Sequence, residues 1–194
     1  LQAIFEYQSH VVNLTGMDVS NASHYDGATA AAESINMARN ITRFKKAKAL
    51  ISPAVHPHYQ RTIKTYNKNS GLVITGSDLA PNATPNDLIP LIDDDTAVVL
   101  VQYPDFFGRI FDYSELAEVA HAKGALLSVS INPIALAMLK PPGDFGADIV
   151  SGEGQPLGIP LSFGGPYLGI LATKKKHVRS IAGRIVGETT DVKG

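Results

Sequence analysis

A chain of 194 residues, 44% hydrophobic and 18% charged, can bury one good core, either as a single domain or as most of a larger one. Its net charge of −1 argues against an electrostatic nucleic-acid binder, and the absence of cysteine removes disulfides and thiolate metal sites. No apolar run approaches the roughly 18 residues of a membrane span, and the chain opens at Leu1 with no signal-peptide pattern. Beginning inside an amphipathic pattern and stopping at Lys193-Gly194, it reads as a piece cut from a longer polypeptide.

Leu1, Ile4, Phe5, Val11 and Val12 fall at helical spacing, and Gly16 suits the position just past a helix end. Met17 to Ala22 reads as an extended link. Asp26 is an expected N-cap for an alanine-rich helix reaching about Arg39. A strand is expected at Ala47 to Ser52, then a helix over His56 to Lys68 with Tyr59, Ile63 and Tyr66 inward, then a strand at Leu72 to Thr75. Thr84-Pro85 opens a short helix as N-cap and first helical residue. Thr96 to Tyr103, TAVVLVQY, is the strongest strand signal, apolar enough for burial on both faces. After a loop at Pro104 to Ile110, a helix over Asp112 to Lys123 closes at Gly124. A strand at Ala125 to Ile131 and a brief helix from Pro133 follow. Strands at Asp148 to Ser151 and Tyr167 to Ala172 flank a glycine-rich stretch, and Lys174 to Arg179 reads as the solvated start of a helix.

Alternating strands and helices with buried strands indicate an α/β domain with a mainly parallel sheet. Without an internal repeat or a low-complexity linker, residues 1–194 are expected to form one domain. Ligands of such sheets bind beyond the carboxyl ends of the strands. That rule gathers Asp26 to Thr29, Gln102 to Phe107, Ser130 to Pro133 and Gly152 to Gly158 around one crevice.

The stretch from Ile149 to Gly169, IVSGEGQPLGIPLSFGGPYLG, carries one charged side chain, Glu153, and no lysine occurs between Lys140 and Lys174. Its glycines and prolines suggest backbone folded tightly beside something that approaches closely. Gly152-Glu153-Gly154-Gln155-Pro156-Leu157-Gly158 superficially matches a dinucleotide fingerprint, but Pro156 and Pro160 interrupt the helix that would hold pyrophosphate. His56-Pro57-His58 suits a helix start better than a metal fragment, and no metal site is expected. The sequons at Asn13, Asn40 and Asn82 are read as chance matches. Asp93-Asp94-Asp95 is expected to face solvent, and Asp144 and Asp148 to be turn and strand-edge residues. Asp26-Gly27-Ala28-Thr29 is either an anion site or plain helix capping.

Four segments carry a longer resemblance: FEYQSHVVNLTGMDVSNASHYDGATAAAES (Phe5 to Ser34), QYPDFFGRIFD (Gln102 to Asp112), FGADIVSGEGQPLGIPLSFGGPYLG (Phe145 to Gly169) and GRIVGETTD (Gly183 to Asp191). They resemble glycine decarboxylase, the P-protein of the glycine cleavage system, and most of all subunit 1 of its two-subunit bacterial form. The N-terminal half of a single-chain P-protein is the alternative. The resemblance implies the three-layer α/β/α, aspartate-aminotransferase-like fold of the type I pyridoxal-phosphate enzymes, with residues 1–194 as the central part of the large domain. It implies a cytoplasmic complex that releases the carboxyl carbon of glycine as carbon dioxide and passes the aminomethyl group to the lipoyl arm of H-protein. No nucleic acid or membrane partner is implied.

That chemistry needs a Schiff-base lysine, a carboxylate on the pyridinium nitrogen and a helix N-terminus with hydroxyls for the phosphate. Laid on the family pattern, this sequence departs at both chemical positions: Ser130 stands at the pyridinium partner's place, and Gln155-Pro156 stands where a histidine-lysine pair is expected. The resemblance therefore implies a subunit with no covalently bound cofactor, paired with a subunit 2 that carries pyridoxal phosphate, or a purely structural partner of it. The residues expected to line its residual pocket are Asp26, Gly27, Thr29, Ser130, Gln155 and Gly165, with no acid–base role for any of them.

Overall fold

The computed structural model describes residues 1–193. Helix α1 (Gln2–Thr15) leads through strand β1 (Val19–Ser20) into α2 (Gly27–Ile41), β2 (Lys48–Ile51), α3 (Pro57–Tyr66) and β3 (Val73–Thr75). Then come α4 (Pro85–Leu88), β4 (Thr96–Tyr103), α5 (Ser114–Ala122), β5 (Leu126–Ile131), β6 (Ile149–Glu153) and β7 (Gly169–Thr173). The strands form one seven-stranded sheet in the order β1-β7-β6-β5-β4-β2-β3. From β3 to β6 every pairing is parallel, while β7 runs antiparallel to both β6 and β1. The sheet is mixed and mainly parallel, as expected.

Both faces are covered. Alternate residues of β4, Val98 and Leu100, join Leu126, Ile149 and Leu171 under Ala31, Ile35 and Ala38 of α2. The other set, Val99 and Val101, joins Leu127, Val129 and Val150 under Val11 of α1 and Leu116 of α5. This is the three-layer α/β/α arrangement expected of the chain. A buried run such as TAVVLVQY is what a two-faced central strand requires. None of the described helices is long and apolar enough to cross a membrane.

Four local expectations change. The link after α1 contains β1, which pairs with β7 at the sheet edge. Tyr66 is 46% exposed, because α3 packs chiefly against α2 and buries only a narrow stripe around Ile63. Asp148 is not an edge residue but a fully buried carboxylate at the head of β6. The basic run does not simply face solvent: Lys174 and Lys176 approach the Asp148 carboxylate at 3.4 and 3.6 Å.

The loop after β4 is held by one guanidinium. Arg109 Nε donates to Asp105 Oδ2 at 2.7 Å, and Nη1 donates to the Asn82 carbonyl at 2.8 Å. Its Nη2 reaches the carbonyls of Pro81 and Ala83, and the plane lies over Phe107 and Phe111. Lysine cannot reproduce a planar fork. Arg109→Lys is therefore expected to destabilise the protein by about 1–3 kcal/mol, read from urea unfolding. An unchanged midpoint would show that the fork is not needed.

Candidate functional site

The carboxyl ends of β2, β4, β5 and β6 converge on one crevice. Gln102 and Ser130 lie side by side in the parallel register, with Ser151 next to Ser130. Gln102 Oε1 accepts the backbone N–H of His56 at 2.8 Å, which fixes the chain as it leaves β2. The His56 ring meets Phe106 edge-on at 5.0 Å and lies 5.2 Å from Tyr59. A cavity of about 170 Å³ is lined by His56, Gln102, Ser130, Asn132, Glu153 and Pro156. A second, of about 450 Å³, shares His56, Tyr59 and Glu153 with it and is bounded by Asp26, Gly27 and Tyr167.

The start of α2 forms the far wall. Asp26 has extended backbone and caps the helix: its Oδ1 accepts the Thr29 N–H at 2.7 Å, while Thr29 Oγ1 accepts the Asp26 N–H at 3.2 Å. The next free amide, that of Gly27, donates to Glu153 Oε2 at 2.8 Å. The other oxygen of that carboxylate, Oε1, accepts the N–H groups of Gln155 and Leu168, each at 2.9 Å. One side chain thus joins the helix start to both stems of the glycine-rich loop. A methyl group on Gly27 would overlap the Tyr59 hydroxyl, so the helix start is filled on that side. Burial, and then the charges of Glu153 and Asp26, push the Tyr59 hydroxyl well above the ordinary phenol range.

Of the residues expected in a residual pocket, Asp26, Gly27 and Ser130 border the two cavities, and Ser130 is only 1% exposed. Thr29 instead borders a separate space of about 550 Å³ with His24, Tyr25, Glu33, Tyr66 and Arg184. Gln155 folds back on its own loop, its Nε2 donating to the Ile159 carbonyl. Gly165 lines neither cavity, and nothing lies within 4 Å of where its Cβ would be. Sequence reasoning missed His56 and Tyr59 as site residues, and it brought Glu153 to the crevice only as part of Gly152 to Gly158, with no role of its own. The signal for Glu153 was its isolation, since a single charge in an apolar, glycine-rich stretch must find donors as it is enclosed.

A covalently held pyridoxal phosphate does not fit this donor set. Among the described residues no lysine lines either cavity. Lys174 and Lys176 follow the distal end of β7, five residues of β6 away from Glu153, or about 13 Å at ordinary strand rise. The carboxylates at the crevice are Asp26, committed to the helix cap, and Glu153, committed to three amides. Neither is left to face a pyridinium nitrogen. No group of three or more His, Cys, Asp or Glu residues able to hold a metal occurs among the described residues.

The histidines add a pH dependence. Burial, reinforced by His58, lowers the pKa of His56; burial lowers that of His24, with Glu33 opposing it; and burial, reinforced by Lys176, lowers that of His177. Below the unfolded value of about 6.5 the unfolded chain takes up more protons than the folded one, so stability falls as pH drops through that value. The urea midpoint is expected to decline between about pH 7 and pH 5. A flat profile over that window would contradict these assignments.

Comparison with known proteins gives the crevice its context. The family model of the glycine cleavage system P-protein matches residues 1–194. The chain is 54% identical over 197 residues to a probable glycine dehydrogenase (decarboxylating) subunit 1 of Desulforamulus reducens, covering 100% of this chain and 43% of that relative. It is 52% identical to the protein of the same description in Erythrobacter litoralis, with the same coverage. The chain therefore spans less than half the length of these curated relatives. An inhibitor-bound crystal structure of glycine decarboxylase (P-protein) superposes with a TM-score of 0.93 at 44% identity, over all of this chain and 43% of that one. A cystathionine gamma-lyase from Lactobacillus plantarum shares the fold alone, with a TM-score of 0.69 at 19% identity over 89% of this chain and 42% of that one. Matched along its whole described length, from the first turn of α1 through the crevice, the chain belongs to the P-protein family of the glycine cleavage system.

Proposed function

We propose that this chain is the core of the large domain of subunit 1 of a cytoplasmic glycine decarboxylase, and that it does not itself carry the cofactor. The complex decarboxylates glycine and passes the aminomethyl group to the lipoyl group of H-protein. Pyridoxal phosphate sits on a partner, subunit 2. The observation that supports this reading most directly is a type I crevice bordered by Ser130 and Glu153 with no lysine along it. Asp26, Gly27 and Ser130 border the residual pocket, whereas Thr29, Gln155 and Gly165 lie outside it. The glycine-rich loop, with exposed Leu157, Leu161, Phe163 and Tyr167, packs against subunit 2.

The test uses the full-length protein with pyridoxal phosphate and borohydride, alone and with subunit 2. No reduced adduct is expected on any lysine of this chain, and glycine–bicarbonate exchange is expected only when subunit 2 is added. An adduct here, or exchange by this subunit alone, would overturn the proposal. Substituting Ser130 in the assembled enzyme separates pocket from scaffold: a changed Michaelis constant with intact assembly supports the pocket, and unchanged kinetics reduce this chain to a structural partner.

A further inference from the structure

We infer that Glu153 is a built-in anion that occupies the amide cup at the start of α2 and keeps a phosphate group out of it. The inference deepens the cofactor-free reading above and rests on it. A helix N-terminus attracts phosphate because its first amides lack partners and its dipole favours negative charge. Here two of the three first-turn amides, and the charge the dipole favours, are already supplied from within. Glu153 Oε2 takes the Gly27 amide at 2.8 Å, and Asp26 Oδ1 takes the Thr29 amide at 2.7 Å.

Three features make Glu153 more than a chance neighbour. Its second oxygen accepts two further amides, those of Gln155 and Leu168, both at 2.9 Å, so the side chain cannot swing out without breaking the loop's stems. Gly154 is held at the same place, its N–H donating to the Leu168 carbonyl at 2.7 Å. The Tyr59 hydroxyl fills the space beside the Gly27 Cα where a Cβ would lie. A phosphate arriving at Gly27 would have to displace a carboxylate bound by three amides, next to the second carboxylate of Asp26. Like charges at that range repel, and of the first-turn donors only the Ala28 amide keeps no partner among the described residues. Exclusion of the phosphate is thus independent of the missing lysine, which removes only the covalent anchor.

The experiment measures inorganic phosphate binding to the full-length subunit at fixed ionic strength. Glu153→Ala and Glu153→Gln are compared with the unaltered protein, and circular dichroism checks the fold. Either variant is expected to bind phosphate at least about tenfold more tightly than the unaltered protein, the equivalent of one charge-assisted hydrogen bond regained. Folded variants that bind phosphate no better would overturn the inference. Should neither variant fold, a crystal structure of the unaltered protein grown in phosphate decides: Glu153 on the Gly27 amide upholds the inference, and phosphate there overturns it. A borohydride-stable adduct on a lysine of the unaltered chain would instead overturn the cofactor-free reading, so the two failures are distinguishable.

Discussion

Asp148→Ala is expected to destabilise the protein by about 3 kcal/mol, at the level seen when a buried charge cluster loses a member. The carboxylate is 0% exposed. Its Oδ2 contacts His121 Nε2 at 2.6 Å and accepts the Leu127 N–H at 3.1 Å. Lys174, Lys176 and His177 gather around Oδ1 at 3.4, 3.6 and 4.0 Å. Alanine would leave the buried Leu127 amide without that acceptor and crowd positive groups around an apolar gap. Burial alone would raise the Asp148 pKa, but the His121 hydrogen bond, the Leu127 amide and the Lys174 charge outweigh it, and the group titrates below the ordinary carboxylate range. With the folded pKa depressed, its contribution is fully present above the unfolded value of about 3.9 and is lost as pH falls through the folded pKa. Urea unfolding near neutral pH measures the loss, and an acid titration of the variant should show a smaller decline below pH 4 than the unaltered protein. A variant as stable as its parent, or with the same acid limb, would rule out this account.

The second large effect is expected at Gly169. A methyl group there would overlap the Asp26 carbonyl oxygen and the His24 Cβ. Those are backbone and first-carbon atoms, which cannot move aside like a flexible side-chain tip. The same residue bridges to His24 through paired bonds, His24 N–H to the Gly169 carbonyl at 2.8 Å and Gly169 N–H to the His24 carbonyl at 3.0 Å. Gly169→Ala therefore pushes the capped start of α2 off the sheet and is expected to lose about 3 kcal/mol, the upper end for overpacking. Gly165→Ala, four residues earlier in open space, is expected to change stability by no more than about 0.5 kcal/mol. Equal effects at the two positions would show that the loop, rather than the close approach, sets the requirement for glycine.

These predictions also mark what was legible in the sequence. Strands with a buried apolar run, such as TAVVLVQY, and helices with side-chain caps, such as Asp26 over Thr29, declared themselves because local propensity and tertiary burial agree there. The crevice followed from the rule that sheet ligands sit at strand carboxyl ends. Its composition did not, because His56 reaches it through the turn after β2 and is fixed by Gln102, 46 residues later in the chain. Asp148 read as a strand-edge residue because its partners lie on α5 and beyond β7, separations that no local pattern spans. The glycines of the loop read as a single class, yet they divide. Gly152, Gly154 and Gly169 are crowded by the chain's own atoms, while Gly158, Gly164 and Gly165 have open space beside them.

The pairing of β1 with β7 has a consequence for biosynthesis. Ser20 Oγ donates to the Leu171 carbonyl across 151 residues of chain, so this sheet edge cannot form until nearly all of the segment has left the ribosome. At about 5–20 residues per second, the first strand waits on the order of ten to thirty seconds for its neighbour. During that time α1 has no sheet edge to rest on and its apolar stripe stays uncovered. Long-range closures of this kind form late and leave the nascent chain open to wrong pairings. With only two residues, β1 presents little unpaired backbone during the delay, which limits its value as a template for such pairings.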